Sequence, residues 1–168
     1  TFIQDRYKLK NFHRIVFVGN MEYQPNEEAV NTIASELAPR IQSKIKNAKF
    51  IIVGKLPRKA PPNSPNLIFT GVVKSVAEFL VASDVAIAPL FHGSGTRLKI
   101  LEYFSCGLPV VSTTIGVEGL EIRNQENILI EDDMDRFADK VILLLKDKEL
   151  STKIGKAARD LVIERYDW

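Results

Sequence analysis

Short apolar runs along this chain alternate with stretches in which apolar residues recur every three or four positions. The runs, rich in Val, Ile and Phe, occupy residues 15–18, 50–53, 67–69, 85–88, 109–111 and 128–130. Their hydrophobicity is continuous where a half-exposed strand would alternate, so each reads as a strand buried on both faces. Helical periodicity between most of them predicts a parallel sheet with helices on each side. The expected fold class is α/β: a doubly wound, Rossmann-like, mainly parallel six-stranded sheet.

Local signals sharpen several helices. Ser75 followed three residues later by Glu78 matches a capping box and predicts a short helix through Ala82. Asp132 and Asp133 suit the positive end of a helix over 134–146, with Phe137, Val141 and Leu144 or Leu145 on its apolar face. A last helix is expected from Leu150 towards Tyr166. Pro39 falls inside the helical pattern 26–46, where it removes an N–H and crowds the preceding turn, so a kink or break is expected there. Four prolines between Pro57 and Pro65 mark an exposed loop joining two strands of one sheet.

Composition bounds the rest. With 168 residues, 45% hydrophobic and 26% charged, the chain suits one ordinary domain with a sizeable core, taken as residues 1–168. The net charge of +2, from 23 basic and 21 acidic residues spread along the chain, offers no basic stripe, which argues against a nucleic-acid partner. The single cysteine, Cys106, has an apolar context that suits a reducing, cytoplasmic setting. No apolar run approaches the roughly 20 residues of a membrane span, and residues 1–10 are too polar for a signal peptide. A chain starting with threonine is expected to be a fragment of a longer polypeptide.

In an open doubly wound sheet the ligand lies beyond the carboxyl ends of the strands. After the strand 85–88 comes Pro89-Leu90-Phe91-His92-Gly93-Ser94-Gly95-Thr96-Arg97-Leu98-Lys99-Ile100-Leu101-Glu102: strand, glycine loop, helix. Gly93 and Gly95 let the backbone curl closely around a ligand, and Ser94 or Thr96 can cap a helix whose free N–H groups attract phosphate. Arg97 and Lys99 place positive charge in the first turn, where the helix dipole favours acids, which suggests an anionic partner. Glu102 lies six residues beyond Thr96, ~9 Å along the axis, within reach of a ribose while a diphosphate rests on the helix end. The bland alternative is an i,i+3 pairing of Lys99 with Glu102 and a solvated Arg97. His92 adjoins the loop and can donate to a phosphate or a sugar hydroxyl; His13 has no supporting context; Cys106, at a helix end running into a strand, reads as a small buried residue.

The run from Gly93 through Leu101-Glu102-Tyr103-Phe104 to Gly107-Leu108-Pro109-Val110-Val111-Ser112-Thr113 resembles the signature of retaining GT-B glycosyltransferases of the large glycosyl transferases group 1 family. Phe17-Val18-Gly19 with Pro25-Asn26, Ile51-Ile52-Val53-Gly54, Phe69-Thr70-Gly71-Val72-Val73, Ala82-Ser83-Asp84-Val85, Pro89-Leu90 and Arg165-Tyr166-Asp167-Trp168 follow in the family's order and spacing. The resemblance implies one half of a GT-B fold, the C-terminal domain that holds a nucleotide diphosphate sugar, with the N-terminal acceptor domain absent. It places Glu102 on the ribose, the amides of Gly93, Ser94, Gly95 and Thr96 near the diphosphate, Gly71 and Val73 beside the base, and Gly19 with Asn20 near the phosphates. Glu118 and Glu121 fall where the family has an acidic residue near the donor.

Two departures accompany it. Of the usual two glutamates seven residues apart, the first position is Ser94, so the sugar-facing carboxylate is missing. The loop after the first strand usually supplies an arginine and a lysine, but here it reads Asn20-Met21-Glu22-Tyr23-Gln24. Arg97 and Lys99 are expected to neutralise the leaving diphosphate instead, in the catalytic role, with no metal and no cofactor beyond the donor itself.

The implied activity is transfer of a sugar from a nucleotide diphosphate donor to a glycan, lipid or other acceptor, in polysaccharide or glycolipid biosynthesis. The fragment alone is expected to be inactive. Its partners would be the nucleotide sugar and the missing N-terminal domain, which would also carry any peripheral association with the inner face of the membrane. The alternatives are a non-catalytic nucleotide-binding relative and, behind it, a sugar-nucleotide 2-epimerase, whose Arg-Pro-Glu signature is replaced here by Ser112-Thr113-Thr114-Ile115-Gly116.

Overall fold

The computed structural model describes residues 1–62, 64–93 and 97–166, with the side chain of Arg97 outside that set. Six strands form one sheet: β1 (His13–Val18), β2 (Ala48–Val53), β3 (Leu67–Gly71), β4 (Val85–Ala88), β5 (Val110–Ser112) and β6 (Leu129–Ile130). Every neighbouring pair is parallel, in the order β3-β2-β1-β4-β5-β6. This is the six-stranded parallel sheet that the apolar runs predict. The chain leaves β1 towards one edge and leaves β4 towards the other, so the order reverses between these two central strands.

Among the described residues, seven α-helices accompany the sheet: α1 (Phe2–Arg6), α2 (Gln24–Thr32), α3 (Ala38–Lys44), α4 (Val76–Val81), α5 (Arg97–Ser105), α6 (Met134–Lys146) and α7 (Lys148–Arg165). Right-handed crossovers in opposite directions put the helices after β1 and after β4 on opposite faces. Accordingly α3 packs on α6, and α5 on α7. Between the layers lie the fully buried side chains of Phe17, Phe50, Tyr103, Phe104 and Phe137, with the aliphatic residues of the central strands. Among the described residues, no helix is long and apolar enough to cross a membrane.

Several local expectations resolve in instructive ways. The pattern around Pro39 stays helical, but residues Ile33–Leu37 widen into a π-turn between α2 and α3. The wider turn accommodates the missing N–H and the ring of Pro39 without ending the helix. Asp133 caps α6 as expected, its side chain accepting from the Arg136 amide at 3.0 Å. Ser75 stands at the cap of α4 but makes no side-chain capping bond, so the capping box is not formed. At the amino terminus, a helix that periodicity does not reveal, α1, is closed by a capping box between Thr1 and Gln4 and buries Ile3. The proline-rich connection joins β2 to its parallel neighbour β3 with no helix among its described residues, leaving Lys59, Ala60 and Pro61 exposed.

Candidate functional site

Where β1 and β4 part company, a side chain from α5 fills the gap. The two strands pair only at Ile15 with Val85 and Val16 with Ala86. Beyond that point the amide of Val18 donates to Tyr103 Oη at 3.0 Å, and the same hydroxyl donates to the Ile87 carbonyl at 3.2 Å. Tyr103 thus satisfies two backbone groups that the diverging strands leave without ladder partners, while its ring is buried in the core. Burial also pushes its phenol well above the ordinary range, so the hydroxyl stays protonated.

Above this wedge the loop after β1 is built from close backbone contacts. Gly54 has φ +132°, and a Cβ there would lie 1.9 Å from the Gly19 carbonyl oxygen. A Cβ on Gly19 would lie 2.7 Å from Asn26 Nδ2, so the glycine leaves room for the Asn26 amide, which is 7% exposed. Asn26 Nδ2 donates to the Asn20 carbonyl at 3.0 Å, and the Asn20 side chain accepts from the Glu22 amide at 2.9 Å. Pro25 stands in the first turn of α2, where its missing N–H is harmless. Across the crevice, Gly93 has φ +101°, and a Cβ there would lie 2.8 Å from Pro25 Cγ and 2.9 Å from Tyr23 Oη. The loops after β1 and after β4 therefore touch, and only a residue without a side chain fits at the contact.

Lys99, in the first turn of α5, faces inward. Its side chain is 9% exposed and runs inward from α5, so that Nζ donates to Asn26 Oδ1 at 2.9 Å and lies 4.1 Å from the Phe17 ring centroid. The hydrogen bond goes to Asn26 and not to Glu102, as the i,i+3 alternative would have it. Burial lowers the ammonium pKa to about 7, a fall that the charge of Glu102 only partly opposes. Glu102 itself lies on the exposed side of α5, and partial burial raises its carboxyl pKa against the lowering effect of Lys99.

The other sequence candidates separate by position. Gly19, Asn20, His92, Gly93, Lys99 and Glu102 belong to β1, β4, α5 and their loops, at the reversal of strand order. His92 is mostly exposed and faces Glu28, with Nε2 3.6 Å from the carboxylate, a partner the sequence did not reveal. Gly71 ends β3 with φ +71° and open space around it, and Val73 packs partly against the core, leaving Val72 78% exposed beside them. Ser94, Gly95, Thr96 and the Arg97 side chain lie outside the described residues, as do Asp167 and Trp168. Glu118 is exposed after the 3₁₀ turn that follows β5, whereas Glu121 is bound by Arg165 at 2.9 Å. His13 and Cys106 line a groove of about 570 Å³ at the amino ends of β1, β4 and β5, at the opposite edge from the crevice. Burial raises the Cys106 thiol pKa, the wrong direction for a nucleophile.

Sequence reasoning missed three members of the arrangement. Asn26, Phe17 and Tyr103 entered only as members of the runs that carry the resemblance, with no role assigned to their side chains. A tyrosine inside an otherwise apolar helix face, with a hydroxyl that must find a partner, was the available signal for the last.

A parallel sheet of this order, with loops converging where the order reverses, defines the doubly wound class whose ligands sit in that crevice. Residues 12–147 match the model of the family described as glycosyl transferases group 1, and the chain belongs to that family. It is 30% identical over 130 residues to the N-acetyl-alpha-D-glucosaminyl L-malate synthase of Bacillus anthracis, covering 71% of this chain and 34% of that protein. It is 24% identical to the GDP-mannose-dependent alpha-(1-6)-phosphatidylinositol monomannoside mannosyltransferase of Mycobacterium tuberculosis, covering 99% of this chain and 47% of the relative. Among solved structures, Anabaena HepE in complex with UDP and glucose superposes with a TM-score of 0.81 at 13% identity, over 99% of this chain and 47% of that one. The chain spans less than half the length of these relatives.

Proposed function

We propose that residues 1–168 form the donor-binding half of a GT-B glycosyltransferase, and that the crevice between the loops after β1 and β4 holds a nucleotide diphosphate sugar. The observation that carries this reading is the inward ammonium of Lys99. Among the described residues this buried cation has one neutral hydrogen-bond partner and no carboxylate in contact, which is costly in a folded domain. Its place beside the loop after β1 makes sense if an anion completes it. Membership of the family supports the reaction class, and a fold shared with a protein whose structure holds UDP and glucose supports the location.

In the reaction, the bond between the anomeric carbon and the β-phosphate oxygen breaks, and the nucleoside diphosphate departs with the electron pair. The acceptor oxygen forms the new bond to that carbon and passes its proton to the departing diphosphate. Negative charge grows on the leaving diphosphate, so Lys99, Arg97 and the amides of Gly93, Ser94, Gly95 and Thr96 at the start of α5 lower the barrier there. Glu102, in the second turn of α5, takes the ribose hydroxyls; Gly71 and Val73 flank the base; Gly19 and Asn20 bound the phosphates. Ser94 brings no carboxylate to the sugar. Retention at the anomeric carbon is part of the same reading, in which the acceptor belongs to a second domain, through which any contact with the inner face of the membrane would run.

The test is calorimetry of this chain against UDP, GDP and ADP and their sugar conjugates. Binding of one base series, without turnover, is expected. Absence of binding to all of them would favour a purely structural or regulatory relative.

A further inference from the structure

Asn26 does more than cap the packing under Gly19. Its amide bridges two parts of the crevice: Nδ2 donates to the Asn20 carbonyl in the loop after β1, and Oδ1 accepts from Lys99 on α5. These elements come from opposite faces of the sheet, and the ammonium reaches Asn26 beside the ring of Phe17. The amide is buried, and Gly19 leaves it little room to turn. Its two ends cannot be exchanged either, because the NH₂ must meet a carbonyl and the oxygen must meet an ammonium.

We infer that Asn26 is the positioning residue for Lys99, holding its ammonium by a neutral acceptor beside the loop after β1 so that the positive charge remains available to an incoming diphosphate. The inference rests on the reading of the crevice as a nucleotide diphosphate site. Neutrality is the essential property. An aspartate at the same place would fit the same space, but it would satisfy the cation permanently and repel the anion.

The charges around Lys99 agree with this. Glu102, on the same helix, is the charged group that acts on the ammonium; β1 contributes the Phe17 ring, and α2 contributes the Asn26 amide. Of the nearby carboxylates, Glu22 is bound by Lys55 and Arg58, and Glu28 faces His92, while Glu27 follows Asn26 on α2.

The experiment uses this chain with ¹³C-labelled lysine, the Lys99 Cε resonance being assigned by its loss in Lys99→Met. Its titration is followed in the wild type, Asn26→Asp and Asn26→Ala, and calorimetry measures binding of UDP, GDP, ADP and inorganic pyrophosphate. Expected is a Lys99 midpoint raised by roughly one unit or more in Asn26→Asp and lowered in Asn26→Ala, with affinity for the anions reduced about tenfold in both. A residue that merely packed would not move the midpoint in opposite directions. Unchanged midpoints in both variants, or unchanged affinity with shifted midpoints, would overturn the inference. Should Asn26→Asp not fold, the downward shift in Asn26→Ala decides. Shifted midpoints and pyrophosphate binding, in a wild type that binds no nucleoside diphosphate, would uphold Asn26 as the positioning residue and count against the nucleotide reading alone.

Discussion

Val18 donates its backbone amide to Tyr103 Oη across 3.0 Å, and this bond stands where a ladder bond between β1 and β4 would otherwise be. The crevice exists because these strands separate, and the buried hydroxyl makes the separation tolerable. Tyr103→Phe removes the hydroxyl and leaves the Val18 N–H and the Ile87 C=O without this partner. Each unsatisfied buried group costs about 1–3 kcal/mol, so for the two together urea denaturation should show a loss of about 2–6 kcal/mol. A loss below about 0.5 kcal/mol would mean that water replaces the hydroxyl.

Lys99→Met separates stability from binding. Methionine fills a similar volume without the charge, so the folded chain should gain about 1–3 kcal/mol in denaturant at neutral pH. Nucleotide and pyrophosphate affinity should fall at least about tenfold. A variant both less stable and unimpaired in binding would contradict the role given to the ammonium.

The same residue sets a pH dependence. With the folded pKa lowered to about 7 from 10.5, the unfolded chain binds more protons between these values, so stability rises with pH across that window. Below about pH 7 the ammonium is charged in both states and its contribution levels off. An anion in the crevice favours the charged form, so affinity should weaken as pH rises above 7. Calorimetry at several pH values, in buffers of different ionisation enthalpy, would detect the accompanying proton uptake. Lys99→Met should abolish it.

Glu102→Ala tests the ribose assignment. Affinity for a nucleoside diphosphate should fall about tenfold, the range expected for hydrogen bonds to a charged acceptor, while affinity for its 2′,3′-dideoxy analogue stays the same. Equal losses for both ligands would place Glu102 away from the ribose.

Gly93→Ala probes the contact between the two loops. The added Cβ meets Pro25 and Tyr23 at under 3 Å, on a backbone with φ +101°. The expected cost is about 1–3 kcal/mol in denaturant, with weaker nucleotide binding as the loops move apart. An unchanged midpoint would show that the contact yields without strain.

Pattern alone determined the six parallel strands and the amphipathic helix α6 with its Asp133 cap, and it singled out the stretch from Gly93 to Glu102 as the candidate site. These follow from burial on both faces, helical periodicity and local backbone chemistry, all of which act over a few neighbouring residues. The turn around Pro39 was legible as a disturbance but not as a π-turn, since the outcome depends on what the helix packs against. Only the tertiary structure decided which way Lys99 points. Its spacing on α5 suits the surface or the interior equally, and the choice was made by Asn26, 73 residues earlier in the chain. Tyr103 likewise gained its role from two strands that diverge around it. A glycine loop and a first-turn lysine are properties of a segment, whereas a buried cation held by a distant amide is a property of the folded chain.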